Sequence, residues 1–217
     1  MIEVKNLYLK YIREYYALYN INLTIDEEES VAFIGEEHSG RTTLLRVIAG
    51  LEKFDKGEVF INGRDLQTIN FKTDIELGYV PEVPVFFENK SVYKNLEYVL
   101  KERKYPKHEI ENKINNALIN FNIEKYKDIK VKDLDTYEKY LISFVRLTLR
   151  DLKILLVDNI FSKLDESETE AFVKLIDDYF VSKKITTVVV SDSYDKVKTI
   201  CPKQIKYVSG SIETITN

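Results

Sequence analysis

The chain has a single cysteine, Cys201, in 217 residues. That excludes an intramolecular disulfide and a metal centre built on several cysteines. An inert structural thiol is the expected role of Cys201. Two histidines, His38 and His108, offer little more to a metal. No apolar run approaches the roughly 18 residues of a membrane span. Cationic excess is missing too: 32 Lys and Arg stand against 36 Asp and Glu, for a net charge of −4. A general nucleic-acid binder needs surplus positive charge to neutralise phosphates, so no nucleic-acid partner is expected. The opening Met1-Ile2-Glu3-Val4-Lys5 goes straight into a strand pattern and does not resemble a secretion signal. A cytosolic compartment is expected. The chain shows no repeat and no low-complexity linker.

What is present suits a folded domain with room for a subdomain. Hydrophobic residues make up 44% and charged residues 31%, with both signs interspersed. That composition supports a sizeable core and argues against disorder.

One stretch organises the rest: Val31-Ala32-Phe33-Ile34-Gly35-Glu36-Glu37-His38-Ser39-Gly40-Arg41-Thr42-Thr43-Leu44-Leu45. It predicts a buried strand, a tight loop bounded by glycines, then a helix. Backbone N–H groups at a helix N-terminus and the helix dipole favour an anion. Glycines let the backbone approach a polyphosphate closely. The usual phosphate-loop pattern is Gly, four residues, Gly, Lys, then Ser or Thr. Gly35, Gly40 and Thr42 fit it, but the lysine position holds Arg41. Glu36 and Glu37 add two carboxylates near the place of the phosphates. A plain strand–turn–helix is the alternative at this level.

Taken in order, residues 2–8 and 21–25 alternate as strands do, with an aromatic stretch Tyr8 to Tyr19 between them. The helix from Arg41 ends near Gly50, a C-cap signal. Glu58 to Ile61 is a strand followed by the Asn62-Gly63 turn. Ile75 to Val80 is another. Ser91 to Arg103 and Lys107 to Phe121 have helical periodicity, with Ser91 and Pro106 as start signals. A further helix opens at Leu134-Asp135-Thr136-Tyr137-Glu138. Lys153 to Asp158 is a buried strand ending in a carboxylate. Ser167 to Val181 predicts a helix, Ile185 to Ser191 a buried strand, Asp195 to Ile200 a helix, and two short strands turned at Ser209-Gly210 close the chain. Strands alternating with helices imply an α/β fold with a mainly parallel core sheet. The N-terminal strands form a separate antiparallel sheet, and a helical subdomain covers about residues 88–150.

The order of these landmarks resembles the nucleotide-binding subunits of ATP-binding cassette (ABC) transporters along nearly the whole chain. Gly35 to Thr43 matches that family's phosphate loop apart from Glu36, Glu37, His38 and Arg41. Gly57-Glu58-Val59-Phe60-Ile61-Asn62-Gly63 is similar to its G-x-I-x-I-x-G hairpin. Gly78-Tyr79-Val80-Pro81-Glu82 falls at its Gln loop, with Glu82 for Gln. Leu134, Asp135, Thr136, Tyr137 and Glu138 fall at its signature. Lys153 to Asp158 matches its second nucleotide motif, with Asn159 at the position of its catalytic Glu. Phe161-Ser162-Lys163-Leu164-Asp165 resembles the loop that faces the partner cassette, and Asp192 stands where the family has a switch histidine.

The resemblance implies a P-loop NTPase fold as one nucleotide-binding domain over residues 1–217. It implies ATP with Mg²⁺, held by Tyr11, Gly35, Ser39, Gly40, Arg41, Thr42 and Thr43. Thr42, Glu82 and Asp158 would be metal ligands, and Ser162, Leu164 and Asp165 would face a partner. It further implies a homo- or heterodimer with another cassette, docking on a membrane permease, at the cytoplasmic face of the membrane. The departures weigh against turnover. Asn159 cannot take a proton from water as a carboxylate does. Asp192 would oppose developing negative charge that a histidine would stabilise. Asp135 and the bulk of Tyr137 replace glycines whose amides would approach a phosphate. Three readings stay open: a cassette with weak Mg-ATP binding and impaired hydrolysis, a regulatory or scaffold cassette that does not bind ATP, and an ordinary ATPase that tolerates the substitutions.

Overall fold

The computed structural model describes residues 1–12, 15–71, 76–102 and 104–216. The chain opens with a long hairpin, β1 (Ile2–Ile12) and β2 (Tyr15–Ile25). Strand β3 (Ser30–Gly35) runs into helix α1 (Arg41–Ile48). Then come β4 (Lys56–Ile61), a short β5 (Arg64–Asp65) and β6 (Leu77–Val80). Three helices follow: α2 (Val92–Glu102), α3 (Lys107–Asn120) and α4 (Thr136–Thr148). The chain returns through β7 (Ile154–Asp158), α5 (Glu166–Ile176), β8 (Thr186–Ser191), β9 (Lys203–Val208) and β10 (Ser211–Thr216). It divides into two compact units, residues 1–82 with 153–217, and residues 83–152.

The first unit carries two sheets. A four-stranded antiparallel sheet has the order β2-β1-β4-β5, and a six-stranded sheet the order β10-β9-β3-β8-β7-β6. In the second sheet β3, β6, β7, β8 and β9 run parallel, and only β10 is antiparallel. The apolar runs explain the centre of that sheet. Every residue of β7 and β8 is buried, as expected for strands covered on both faces. One core, with Leu44, Ile48, Phe33, Val188, Ile2 and Val59 among its members, joins both sheets and α1.

Register aligns the carboxyl ends of the central strands. Ile34 pairs with Ser191, and Asp158 with Val190. Gly35, Asp158 and Ser191 therefore reach one sheet edge, the carboxyl end where open α/β sheets bind ligands.

The second unit packs α2, α3 and α4 around Leu96, Ile110, Ile114, Ile142 and Val145. Ser91 caps α2 through its Oγ on the Lys94 N–H, as its position in the sequence suggests. The expected end of that helix at Arg103, and the expected start of a strand at Ile75, lie outside the described residues.

Three expectations need correction. The strands expected over residues 2–8 and 21–25 extend into the aromatic stretch between them, through residues 8–12 and 15–20 of β1 and β2. Tyr8, Tyr16 and Tyr19 meet edge to face there, with centroids 5.1–5.9 Å apart. The α-helix expected to reach Val181 stops at Ile176 and continues as a π-turn over Asp177–Val181, closed by the Ser182 N–H on the Asp177 carbonyl. Apolar spacing does not distinguish one widened turn from a regular one. Asp195 to Ile200 is a set of hydrogen-bonded turns, not a helix. Pro202 steers Cys201 away from helical geometry, which stops a helix from propagating.

The Ser209-Gly210 turn holds the phosphate-loop region together. Gly210 N–H donates to the Ser39 carbonyl at 2.9 Å, and the Gly210 carbonyl accepts from Tyr19 N–H at 2.8 Å. Gly210 has φ +78, and a Cβ there would meet the Ala17 and Tyr16 carbonyls at 2.9 and 3.0 Å. Gly63 has φ +75 with open space around it. We expect Gly210→Ala to cost about 1–3 kcal/mol, since strain and crowding add, and Gly63→Ala only about 1 kcal/mol, the conformational part alone. Urea unfolding midpoints of the two variants check this. Equal losses would show that the contact with β2 is not what demands the glycine.

Candidate functional site

Gly35 ends β3, and a Cβ there would meet the Tyr207 carbonyl at 2.5 Å and Ser39 Oγ at 2.8 Å. Gly40 precedes α1 with φ +101, and a Cβ there would meet the Ala17 carbonyl at 2.6 Å. The two glycines let the loop fold tightly under β2 and β9. Helix α1 has no acidic residue in its first turn and no side-chain cap. Its first N–H groups therefore keep their donor capacity, an arrangement that suits an anion.

Arg41 decides what occupies this loop. It is buried, 6% exposed. Its Nε donates to Ser39 Oγ at 3.1 Å, one terminal nitrogen donates to the Glu36 carbonyl at 3.0 Å, and the other donates to the Ser191 carbonyl. The guanidinium thus ties the loop to the end of β8. Burial lowers its pKa, against the pull of Asp192, Asp158, Glu37 and Glu82.

Beside it, Thr42 Oγ1 donates to Asp158 Oδ1 at 2.7 Å, and Tyr79 hydroxyl donates to Asp158 Oδ2 at 2.7 Å. Asp158 is 2% exposed. Burial raises its carboxyl above the usual range, and the hydrogen bonds from Tyr79 and Thr42 work the other way. The Tyr79 hydroxyl is pushed well above its ordinary value by burial and by Asp158. The Thr42–Asp158 pair offers hard oxygen donors at the start of a helix, a set that fits Mg²⁺.

Asn159 follows with φ +51, a conformation asparagine tolerates better than most residues. Its Nδ2 donates to Glu82 Oε1 at 3.2 Å. Its Oδ1 is buried with no hydrogen-bond partner among the described residues. Glu82 also pairs with Lys163 at 3.5 Å, so the carboxylate expected on a metal is taken by Asn159 and Lys163 here. Asp192 is paired with Lys196 at 3.0 Å, and Lys196 also donates to the Phe161 carbonyl. Partial burial would raise the Asp192 carboxyl, but Lys196 together with the backbone N–H groups of Asp192 and Ser193 more than offsets it, and the group sits below its ordinary value.

These residues surround two adjoining clefts. One, of about 420 Å³, is lined by Tyr11, Thr42, Thr43, Glu82 and Asn159 among others. A second, of about 720 Å³, is lined by Gly35, Asp192, Ser162 and the β9–β10 turn. Both share Tyr15, Glu37, His38, Ser39, Arg41 and Asn159. Tyr11 is exposed, and its hydroxyl lies 3.5 Å from Thr43 Oγ1 and 3.4 Å from Glu52. Glu36 and Glu37 are exposed.

Ser162 donates to the Asn159 carbonyl. Leu164 and Asp165 do not line either cleft, and Asp165 caps α5 in a capping box with Glu168. In the second unit, Leu134 is buried and Asp135 caps α4. The Asp135 carboxylate accepts from the Glu138 N–H at 2.8 Å, and Glu138 returns the bond to the Asp135 N–H. Thr136 and Tyr137 open that helix. The Glu138 N–H, third in that helix, is thus already met by a carboxylate of the chain's own.

Sequence reasoning assigned no site role to Tyr79, Lys163 or Lys196, and it read Tyr15, in the cluster Tyr11, Tyr15, Tyr16 and Tyr19, as packing, whereas Tyr15 lines both clefts. A tyrosine inside the apolar strand β6 is a legible oddity, and Lys196 lies one helical turn after Asp192. Only the pairing of β6 with β7, and the return of β2 over the loop, reveal what Tyr79 and Tyr15 touch. No described helix is long and apolar enough to cross a membrane.

A family model for the ABC transporter matches residues 18–162. The methionine import ATP-binding protein MetN of Clostridium acetobutylicum is 32% identical over an alignment of 219 positions, which covers 98% of this chain and 68% of that protein. MetN of Clostridioides difficile is 28% identical, covering 98% and 67%. Among solved structures, a bacterial ABC transporter cassette solved as a dimer superposes with a TM-score of 0.89 at 23% identity, over 100% of this chain and 98% of that one. The cbiO1 protein of Clostridium perfringens, part of the ABC transporter complex cbiONQ, gives 0.85 at 24%, over 100% and 88%. At these identities the structures speak for the fold, a P-loop cassette. The sequence matches carry the family: the chain belongs to the ABC transporter family.

Proposed function

We propose that the chain is the nucleotide-binding subunit of an ABC importer, holding Mg-ATP weakly and hydrolysing it slowly or not at all. It works from the cytoplasmic face of the membrane with a permease subunit and a second cassette. The observation that carries the nucleotide part is the 2.7 Å contact of Thr42 Oγ1 with Asp158 at the mouth of a glycine-bounded loop. Import is supported by relatives described as import ATP-binding proteins. A paired cassette is supported by the dimeric neighbour.

The parts divide as follows. Tyr11 offers a ring at the rim of the cleft for a base. The loop amides and α1 take phosphate oxygens. Thr42 and Asp158 would hold Mg²⁺, which when bound neutralises phosphate charge. Arg41 keeps positive charge at the loop, but its donors are already spent on Glu36, Ser39 and Ser191, so ATP competes with three internal hydrogen bonds. That competition is the reason for weak affinity.

Slow hydrolysis rests on Asn159 and Asp192. The Asn159 amide has no basic site for the proton of an attacking water, and its donor end is occupied by Glu82. Asp192 is a carboxylate paired with Lys196, and it offers no donor to a terminal phosphate.

Calorimetric titration of the full chain with Mg-ATP tests the reading. Saturable binding that weakens by about tenfold or more in Asp158→Asn, or when Mg²⁺ is withheld, is expected from loss of a ligand and its charge. No binding by the natural chain would instead favour a regulatory or scaffold cassette. The spent donors of Arg41 and the capped start of α4 are the observations on that side.

Phosphate release separates slow from ordinary turnover. Asn159→Glu restores a base beside the cleft and is expected to raise the rate by at least about tenfold, a modest part of what a positioned base supplies. Fast turnover in the natural chain that Asn159→Glu leaves unchanged would remove hydrolytic impairment from the proposal.

A further inference from the structure

The cleft over the phosphate loop has two chemically unlike ends. At the α1 end it presents donors. The first main-chain acceptor of α1 is Gly40, bonded by the Leu44 N–H, so the amides of Arg41, Thr42 and Thr43 have no partner within the helix. At the far end, by β7 and β8, it is lined by the carboxylates of Asp192 and Glu82, and behind them the buried Ser191 carbonyl accepts from Arg41 while the buried Asn159 Oδ1 has no partner among the described residues. The cations of that end are matched inside the chain. Arg41 is held by Glu36, Ser39 and Ser191, Lys196 by Asp192 and the Phe161 carbonyl, and Lys163 by Glu82.

A phosphate is an acceptor only, and its terminal group carries the most charge. It gains at the donor end and loses at the far end, where the carboxylates of Asp192 and Glu82 oppose an anion and the neighbouring Arg41 is already committed within the chain. The Arg41 guanidinium already bridges the loop to Ser191. A third phosphate laid along the same line has to displace it, breaking three hydrogen bonds around a buried cation. A diphosphate that stops short of Ser191 leaves the Arg41 bridge in place.

We propose that this site selects a nucleoside diphosphate over the corresponding triphosphate, with Arg41 and Asp192 as the residues that set the preference. The proposal rests on the reading of the cleft as a nucleotide site. It goes beyond weak binding, because it assigns the weakness to the terminal phosphate alone.

The experiment compares ADP and ATP, each with Mg²⁺, by calorimetry on the full chain, on Arg41→Lys and on Asp192→Asn. The natural chain is expected to bind ADP at least about tenfold more tightly than ATP. Arg41→Lys loses the planar fork that bonds Ser39, Ser191 and Glu36 at once, and Asp192→Asn removes a charge from the far end. Each variant is expected to reduce the preference by about threefold or more, chiefly by tightening ATP. Asp192 is an exposed position, so its variant carries the test if Arg41→Lys does not fold. ATP binding as tightly as ADP to the natural chain overturns the inference and leaves the nucleotide reading standing. A preference unchanged in every folded variant overturns the assignment to these two residues. Binding of neither nucleotide overturns both readings together.

Discussion

The buried guanidinium of Arg41 is the contact on which the character of the site depends. A cation taken out of water must find its hydrogen bonds in the protein. Arg41 finds them on a loop carbonyl, a loop hydroxyl and the carbonyl at the end of β8. Bonds to a charged group contribute about 1.5–3 kcal/mol each, so the three together are large beside the net binding energy of a weakly held nucleotide. A compact ammonium on a flexible stem could move among phosphate oxygens. A planar fork with its donors spent moves only by giving them up. One substitution therefore turns a loop shaped to receive an anion into one that holds its own cation.

Around that contact the first unit is braced from three directions. Gly210 accepts from Tyr19 and donates to Ser39, which joins the β9–β10 turn and β2 to the loop. Gly40 lies close beneath the Ala17 carbonyl. Thr42 and Tyr79 converge on Asp158 from α1 and β6. The loop is thereby held by elements far apart in the chain, and this is why its shape survives the loss of the usual lysine. The substitutions at Glu82 and Asn159 likewise form a matched pair, amide on carboxylate at 3.2 Å. Asp192 has its counterion in Lys196. Read separately, each is a missing catalytic group. Together they are a largely paired polar network, with Asn159 Oδ1 the acceptor left over among the described residues, and it has little to gain from a phosphate, which offers no donor.

The same self-sufficiency appears in the second unit. Asp135 and Glu138 close a capping box at the start of α4, where the resemblance leads one to expect glycine amides open to a phosphate. A capping box typically contributes about 1 kcal/mol to its helix, so the change has a stabilising return within the chain that does not depend on any ligand.

Much of this was legible in the chain before folding. Val31–Ile34, Lys153–Asp158 and Ile185–Ser191 read as fully buried strands because continuous apolar runs suit only a sheet covered on both faces. Gly35, Gly40 and Thr42 mark the loop because spacing and glycine are local requirements. The extension of the hairpin strands over residues 8–12 and 15–20, the π-turn at Asp177–Val181 and the turns at 195–200 escaped because periodicity is nearly silent about bulges, widened turns and short runs ahead of a proline. What the tertiary structure alone decided is where each side chain spends its hydrogen bonds. Parallel register set Asp158 beside Tyr79 and carried Ser191 to Arg41, and the return of β2 laid Tyr15 over the loop. Residue types state which groups can donate and accept. Only long-range pairing brings a guanidinium from position 41 to a carbonyl at 191, and that contact cannot be read from local pattern because no local pattern encodes it.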